Sequence, residues 1–477
     1  MSHPILDGLD ETIRKAMEDM NVPGAQVAII RNGDVIYSEA FGYANVDEHV
    51  PLTKEHYLPI GSSSKSFTAA AALILAQQGK LDLDKPIRHY MPEFELADPV
   101  ATAQATARDL LCHRTGVPRH DMMWLNWDDL DRRDLALNRV KHLQGNLPFR
   151  SGWQYQNQMY AVIGQLIEAI DGRTWETFVE EEILGPLGIR DYSFRIPYPH
   201  EEYARLYTPD GEGGNKENVP LIIDAMGPAG SLNMKIGGLA AWVAFQLNEG
   251  RIEGKPLIDA ALFKQLHKPV IPYQILPFEF PERVTAGYGL GWTVDFFRGH
   301  KVVDHGGNVS GGSALISFMP DLGLGCAVLT NANSNLFVTA LSMELYDRAL
   351  GHAGERNWFI QYRDNMNGLL DAMKSRLTAI YGTKIEGRPC SHELEEYAGE
   401  YEHPGYGGVT ITAKDGGLHM KYHNNEMKVS HLHYDIFTFE LFGGPHPLSF
   451  ATGVDGGISS LSIPFEPSVD PIVFARQ

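Results

Sequence analysis

Residues 60–73 read Ile60-Gly61-Ser62-Ser63-Ser64-Lys65-Ser66-Phe67-Thr68-Ala69-Ala70-Ala71-Ala72-Leu73. The alanine- and leucine-rich run that follows Lys65 has high helix propensity and almost no polar face, which predicts a buried helix. Gly79 supplies a C-terminal stop for that helix. Ser62 then lies at or next to the helix N-terminus, and Lys65 lies one turn later on the same face.

This placement suits Ser62 as an attacking nucleophile. Its hydroxyl would meet the positive end of the helix dipole and free backbone N–H groups. The ammonium of Lys65, buried against apolar neighbours, can lose its proton and serve as a base. The alternative is an N-cap serine followed by a solvated lysine, and S-x-x-K alone is too short to decide between the two. A lysine at the start of so apolar a helix favours the catalytic interpretation over that of a solvated side chain.

Composition limits the classes of function. The chain has 477 residues, 60 acidic and 40 basic, with a net charge of −20, which argues against nucleic acid or an anionic membrane as a partner. We see no signal peptide and no apolar run that could span a bilayer. The three cysteines are far apart and suggest no disulfide framework. We therefore expect a cytoplasmic protein.

Strand patterns occur near both ends of the first 355 residues, with a helix-rich region between them. An Asn32-Gly33 pair predicts a tight hairpin between the first two strands. One sheet built from both ends of the domain is the simplest arrangement, so the fold class is α+β. The predicted strands cover residues 26–30, 35–37, 302–305, 314–318 and 325–329; the clearest helices cover 5–20 and 160–170.

Three further segments complete the predicted organisation. Residues 119–147 combine methionines and tryptophans with many charges and indicate a surface excursion or lid more than core. Residues 356–388 continue as a helix and a linker. Residues 389–477 change to short alternating segments with glycine and asparagine turns, typical of a small antiparallel barrel or sandwich. The domains are thus 1–355, 356–388 and 389–477.

A second candidate motif is Tyr155-Gln156-Asn157, directly before the predicted helix 160–170. A phenol near a buried lysine can act as general base and acid. An asparagine amide can orient a substrate carbonyl and hydrogen-bond the lysine at the same time. The alternative is a packed tyrosine with Asn157 capping the helix.

A third motif, His305-Gly306-Gly307-Asn308, ends a predicted strand. Glycines there would let a substrate backbone lie close against the strand. His305 could donate a hydrogen bond to a substrate carboxylate or to the tyrosine. Standing alone, the motif would be better explained as a glycine-rich turn.

Together the three motifs resemble those of the penicillin-recognising serine hydrolases, which include class C β-lactamases, DD-peptidases, D-aminopeptidases and related esterases. The family pattern is S-x-x-K, then Y-x-N, then K-T-G or H-x-G. The chain has all three in that order, and the resemblance covers roughly residues 5–350. Residues 110–118 and 288–292 also resemble segments of this family. The resemblance implies a β-lactamase-like domain and, for residues 389–477, a lipocalin-like barrel that would form a homo-oligomer or narrow access to the cleft.

The resemblance also implies roles. Ser62 would form an acyl-enzyme, Lys65 and Tyr155 would move its proton, and Asn157 would hold the substrate amide. The N–H groups of Ser62 and Asn308 would form the oxyanion hole. Which of Lys65 and Tyr155 is the base stays open, since their titrations would be coupled.

The third motif has His305 where typical β-lactamases have lysine. In this family H-x-G is common among D-amino-acid peptidases, amidases and some esterases, so the leading expectation is hydrolysis of D-residue peptides or amides. An esterase or weak β-lactamase, or a non-catalytic penicillin-binding-like receptor, are the alternatives. The chemistry requires no cofactor and no metal. The histidines at 419, 423, 431 and 433 lack a spaced ligand set and are better explained as solvated strand residues.

Overall fold

The computed structural model describes residues 4–196, 199–210, 214–274, 278–333, 336–441 and 444–477. An eight-stranded antiparallel sheet forms the centre of its first domain, and both ends of that domain contribute strands, as predicted. In spatial order the strands are Arg283–Tyr288, Thr293–Phe297, His300–Val309, Gly312–Met319, Leu324–Thr330, Gly24–Arg31, Asp34–Asn45 and Val50–Pro51.

The hairpin between Gly24–Arg31 and Asp34–Asn45 has the predicted turn. Asn32 has a φ of 51° and Gly33 a φ of 89°. Two successive residues with positive φ match the twist of a two-residue hairpin, and asparagine and glycine tolerate that region best.

Both faces of the central strands of the sheet are buried, because their side chains alternate between two apolar clusters. Ala28 and Ile30 face the helical region, whereas Val27 and Ile29 face the helices of the chain ends. The helical region includes Lys65–Gln77, Pro99–Gln104, Ala107–Leu111, Gln158–Asp171, Trp175–Val179, Ile236–Leu247 and Ala260–Leu266. The opposite face packs against Leu9–Asp19, Phe337–Leu350 and the first turns of Trp358–Tyr381.

The helix predicted from the alanine-rich run extends over Lys65–Gln77 and is buried from Lys65 to Leu75. Gly79 follows with a φ of 71°. Ser62 lies in a 3-10 turn, Gly61–Ser64, that leads directly into this helix. Among the helices that the structure describes, none has the length and apolar character that a membrane crossing requires.

Residues after the helix Trp358–Tyr381 form a closed eight-stranded barrel rather than a sandwich. Aromatic and aliphatic side chains fill its interior, among them Tyr397, Tyr401, Phe437 and Phe450. Its strands are Gly399–His403, Gly407–Lys414, Gly417–Tyr422, Asn425–His433, Ile436–Leu441, Gly444–Thr452, Ile458–Ile463 and Ile472–Arg476.

The interpretation of residues 119–147 as surface rather than core is wrong. Leu130, Leu135, Ala136, Val140 and Leu143 are buried in the core, and residues 120–127 are largely buried as well. Met122 is 6% exposed and Met123 is fully buried. Trp124 and Trp127 are partly buried and pack against the same apolar cluster. The physical reason is the barrel, which covers this segment with Tyr422 and other groups. Sequence alone gave no sign of that contact.

Candidate active site

Ser62 and Lys65 lie side by side at the head of the buried helix. Ser62 is partly exposed, whereas Ser63, Ser64 and Lys65 are buried. The Nζ atom of Lys65 lies 2.9 Å from Ser62 Oγ, 2.8 Å from Asn157 Oδ1 and 2.7 Å from the carbonyl oxygen of Ala229. Each of the three hydrogen-bonding positions of this amine is therefore occupied.

The amine of Lys65 is held in an environment that favours its neutral form. Burial lowers the pKa of Lys65 well below its usual value, and the positive charge of Arg119 lowers it further, while Asp121 opposes both. A neutral amine has two N–H groups and one lone pair. Asn157 Oδ1 and the Ala229 carbonyl can only accept, so they take the two N–H groups. The lone pair then faces the hydroxyl of Ser62.

The orientation of the Asn157 amide is fixed by Asp121. Asn157 Nδ2 donates to Asp121 Oδ1 over 3.0 Å, and a carboxylate accepts only. The amide oxygen is therefore turned toward Lys65. Although Asn157 precedes the helix Gln158–Asp171, its side chain makes no capping hydrogen bond. The alternative interpretation of Asn157 as a helix cap is wrong.

The phenol of Tyr155 lies close enough to the Ser62 hydroxyl for that hydroxyl to affect its pKa. Burial raises the pKa of Tyr155 to about 12, although the Ser62 hydroxyl and the charge of Arg119 act in the opposite direction. The ring centroid lies 4.9 Å from Lys65 Nζ and 5.0 Å from Arg119 Cζ. The ring of His113 is 4.4 Å away. The phenol therefore keeps its proton at neutral pH.

His305 is buried and bonded on both ring nitrogens. Its Nδ1 lies 2.7 Å from the carbonyl oxygen of Gly306, which requires a proton on that nitrogen, so Nε2 accepts from the Tyr288 hydroxyl at 2.9 Å. Burial, with the charge of Lys65, lowers the pKa of His305 to about 3. The imidazole is thus neutral at pH 7, and an N–H bond to a substrate carboxylate would require the Gly306 contact to break.

Gly307 and Asn308 pass close to the turn that carries Ser62. A Cβ added to Gly307 would overlap the carbonyl oxygen of Ile60 and lie 2.8 Å from Ser62 N, and one added to Gly61 would lie 2.9 Å from Asn308 N. Because Gly307 has no side chain, the turn that carries Ile60 and Ser62 can pack directly against its Cα. The backbone N–H groups of Ser62 and Asn308 are consequently near neighbours, and Asn308 is exposed.

Two charged residues at this site were not predicted. Arg119 is half-exposed and its Nε donates to Asp121 Oδ2 over 2.7 Å. Asp121 is the carboxylate that orients Asn157. Neither lies in a recognisable motif, and only their proximity to Met122 and Met123 in a charged segment could have drawn attention to them.

The histidines of the C-terminal region do not form a cluster. His423 Nδ1 lies 2.9 Å from the Leu125 carbonyl and Nε2 lies 3.0 Å from the Tyr406 carbonyl. Across the described residues, no three side chains of the types that bind metals converge on one point.

Comparison with known families gives two matches. The family model described as beta-lactamase matches residues 9–345, and a domain of unknown function, DUF3471, matches residues 383–476. Among curated proteins, the unguisins hydrolase ungD' of Aspergillus campestris is 26% identical over 428 residues, which cover 86% of this chain and 78% of that protein.

Solved structures share the fold. An octameric penicillin-binding protein homologue from Pyrococcus abyssi aligns with a TM-score of 0.64 at 22% identity, covering 98% of this chain and 99% of that chain. A D-amino acid amidase from Ochrobactrum anthropi SV3, in complex with D-phenylalanine, aligns with a TM-score of 0.58 at 21% identity. The alignment covers 72% of this chain and 98% of the amidase.

Proposed function

The chain belongs to the beta-lactamase family and is a serine hydrolase, and from that premise we propose that it forms an acyl-enzyme on Ser62 and hydrolyses amide bonds of small peptides that contain a D-amino acid. The observation that carries this proposal is the set of contacts around Lys65. A neutral amine whose two N–H groups are taken by obligate acceptors presents its lone pair to the hydroxyl of Ser62, which is partly exposed.

The proton path follows from the two protonation states. Lys65 accepts the Ser62 proton while Oγ bonds to the substrate carbonyl carbon. The N–H groups of Ser62 and Asn308 stabilise the resulting oxyanion, a contribution of about 10²–10³ in rate for one such donor. As the carbon–nitrogen bond breaks, Tyr155 gives its proton to the leaving amine and is reprotonated from Lys65. Water then attacks the ester with the same groups in reverse.

Two features support an amide substrate with a D-residue. The third motif has His305 in place of lysine, the variant found among D-amino-acid peptidases and amidases, and the imidazole is neutral. The structural neighbour from Ochrobactrum anthropi is a D-amino acid amidase, and the Aspergillus campestris relative is named as an unguisins hydrolase. Esters and β-lactams would use the same residues. The presence of Ser62, Lys65 and Tyr155 together argues against a non-catalytic receptor.

A substrate panel tests the proposal. D- and L-aminoacyl amides, p-nitrophenyl esters and a chromogenic cephalosporin would be compared by kcat/KM on the full chain. We expect the D-amide to exceed its L-isomer by about 10-fold or more, the discrimination available from one misplaced side chain in a pocket. Equal turnover of both isomers would contradict the proposed preference for a D-residue. The cephalosporin as best substrate would favour a β-lactamase.

Tyr155→Phe is expected to lower kcat for amides by about 10²-fold, because the leaving nitrogen loses its proton donor. An activated p-nitrophenyl ester should be less affected, since its leaving group departs as an anion. Tyr160→Phe is the matched control: it removes a buried hydroxyl that donates to the Leu111 carbonyl, on a ring 5.3 Å from Lys65 Nζ. Equal losses on the amide and the ester would contradict the role as acid.

Arg119→Gln should move the acid limb of the pH profile of kcat/KM to higher pH. Activity requires neutral Lys65 and falls as pH drops through its pKa. Removing the positive charge raises that pKa, both directly and by freeing the carboxylate of Asp121. Arg133→Gln is the control: it removes the same charge from an exposed side chain that is not among the groups that shift the pKa of Lys65. If the acid limb stayed at the same pH or moved to lower pH, protonation of Lys65 would not be what sets that limb.

We also propose that the chain forms a homo-oligomer through its C-terminal domain. The Pyrococcus abyssi homologue, which aligns over nearly the whole chain, is octameric. Light scattering on the full-length protein would measure the mass directly, and a monomer at micromolar concentration would contradict the proposal.

A further inference from the structure

Residues 120–127, here called the strap, lie between the candidate active site and the C-terminal barrel. Apart from a single 3-10 turn, Asp121–Met123, the strap has no regular structure. Local backbone hydrogen bonds, such as those from the Met123 N–H to the His120 carbonyl and from the Leu125 N–H to the Asp121 carbonyl, hold its turns, and groups outside the strap bind several of its other polar groups. Those groups come from both domains.

On one side, the strap contacts the site. Asp121 Oδ1 accepts from Asn157 Nδ2 over 3.0 Å. It also accepts from Trp124 Nε1 within the strap over 3.1 Å. The carbonyl oxygen of His120 accepts from Gln158 Nε2 over 2.9 Å. Because Asn157 Oδ1 is one of the three groups bonded to Lys65 Nζ, a shift of Asp121 changes the surroundings of the base.

On the other side, the barrel holds His120 directly. The backbone N–H of His120 donates to Glu466 Oε2 over 3.0 Å, and its Nδ1 lies 2.6 Å from the Tyr406 hydroxyl. His120 is fully buried. Its φ of 45° lies in the left-handed region, which is uncommon for residues other than glycine.

The rest of the strap is also bound to the barrel. The Tyr422 hydroxyl donates to the Met122 carbonyl over 2.8 Å. The N–H of Asn424 donates to the Asn126 carbonyl over 3.0 Å, and Asn126 Nδ2 donates to Asn425 Oδ1 over 2.7 Å. Barrel groups thus contact polar groups of four strap residues, which are His120, Met122, Leu125 and Asn126.

We propose that the C-terminal barrel is a positioning element of the catalytic site: through the strap it holds Asp121 where that carboxylate orients the Asn157 amide and so aims Lys65 at Ser62. This rests on the proposed function of Ser62 and Lys65. His120 and Tyr406 are positioning residues, since neither touches the reacting atoms. The role is separate from oligomer formation or narrowing of the cleft, because it acts within one chain on the base.

A matched pair of full-length variants tests the inference. Tyr406→Phe removes the hydroxyl that contacts His120, whereas Tyr401→Phe removes one that donates to the Tyr397 carbonyl inside the barrel over 2.7 Å. Both tyrosines are buried. Active sites are counted by titration with a fluorophosphonate, and kcat for a p-nitrophenyl ester is expressed per titrated site.

We expect Tyr406→Phe to lower kcat per titrated site by about 10-fold with little change in KM, because a small displacement of the base is costly. Tyr401→Phe should leave kcat per site unchanged. A merely structural role of Tyr406 would reduce the number of titratable sites and not the turnover of each. Wild-type kcat per site in Tyr406→Phe would overturn the inference.

A milder pair keeps the test decisive if Tyr406→Phe does not fold. Asn425→Ala removes a contact to the strap, and Thr410→Ala removes a hydrogen bond to Glu400 within the barrel. Only Asn425→Ala should lower kcat per site, and equal values for the two would overturn the inference. If wild-type enzyme were not labelled on Ser62 at all, the proposed function would fail instead, so the two failures are distinguishable.

Discussion

Ser62→Ala is expected to abolish both turnover and labelling by a fluorophosphonate or β-lactam probe. The variant keeps the fold, because the side chain is partly exposed and loses one oxygen atom, but no nucleophile remains opposite the lone pair of Lys65. Any residual hydrolysis would come from binding and the oxyanion hole alone, typically about 10³–10⁴ over water. Mass spectrometry of the intact protein after probe treatment would show the missing adduct.

The neighbouring serines provide the control. Ser64→Ala removes a buried hydroxyl that accepts from the Leu232 N–H over 3.3 Å, so it should lower the melting temperature while the probe still labels the protein. Ser63 is bonded to the His305 carbonyl and is likewise buried. If Ser62→Ala still formed the adduct, the nucleophile would be another residue and the proposed mechanism would be wrong.

The sequence predicted those parts of the fold that depend on local pattern. The buried helix after Lys65 followed from its composition, and the hairpin followed from Asn32-Gly33, because both signals are contained in a few adjacent residues. The resemblance of the three motifs supplied the expected roles of Ser62, Tyr155 and His305. It could not supply their protonation states, which depend on burial among side chains from distant segments.

The parts that were missed depend on contacts between distant segments. Asp121 matters because it faces Asn157, 36 residues later, and no local pattern encodes that approach. The strap looked like surface because its polar groups find partners in the barrel, about 300 residues away in sequence. His305 was expected to donate to a substrate carboxylate or to Tyr155, yet its ring is paired with Tyr288 and Gly306. A role toward substrate stays a prediction.

Replacing Lys65 distinguishes a base from a fixed positive charge. Lys65→Arg keeps a cation that cannot lose its proton at any accessible pH, and Lys65→Met keeps the length without charge or lone pair. If Lys65 acts as a neutral base, both variants should lose about 10³–10⁴ in kcat/KM, near the upper end for general base catalysis. If Lys65 acts only through its charge, the arginine variant should retain much of the activity.

Lys65→Arg can destabilise the folded protein, because it brings a permanent charge into a buried site that already lowers the pKa of an amine. Lys301→Arg is the matched control: Lys301 is partly buried, donates to the His267 carbonyl over 2.9 Å, and has its pKa lowered by burial. It should retain full activity. Circular dichroism would show whether each variant is folded before its rate is compared. A folded Lys65→Arg enzyme within tenfold of wild type would contradict the neutral base, because only the fixed charge would then be needed to activate Ser62.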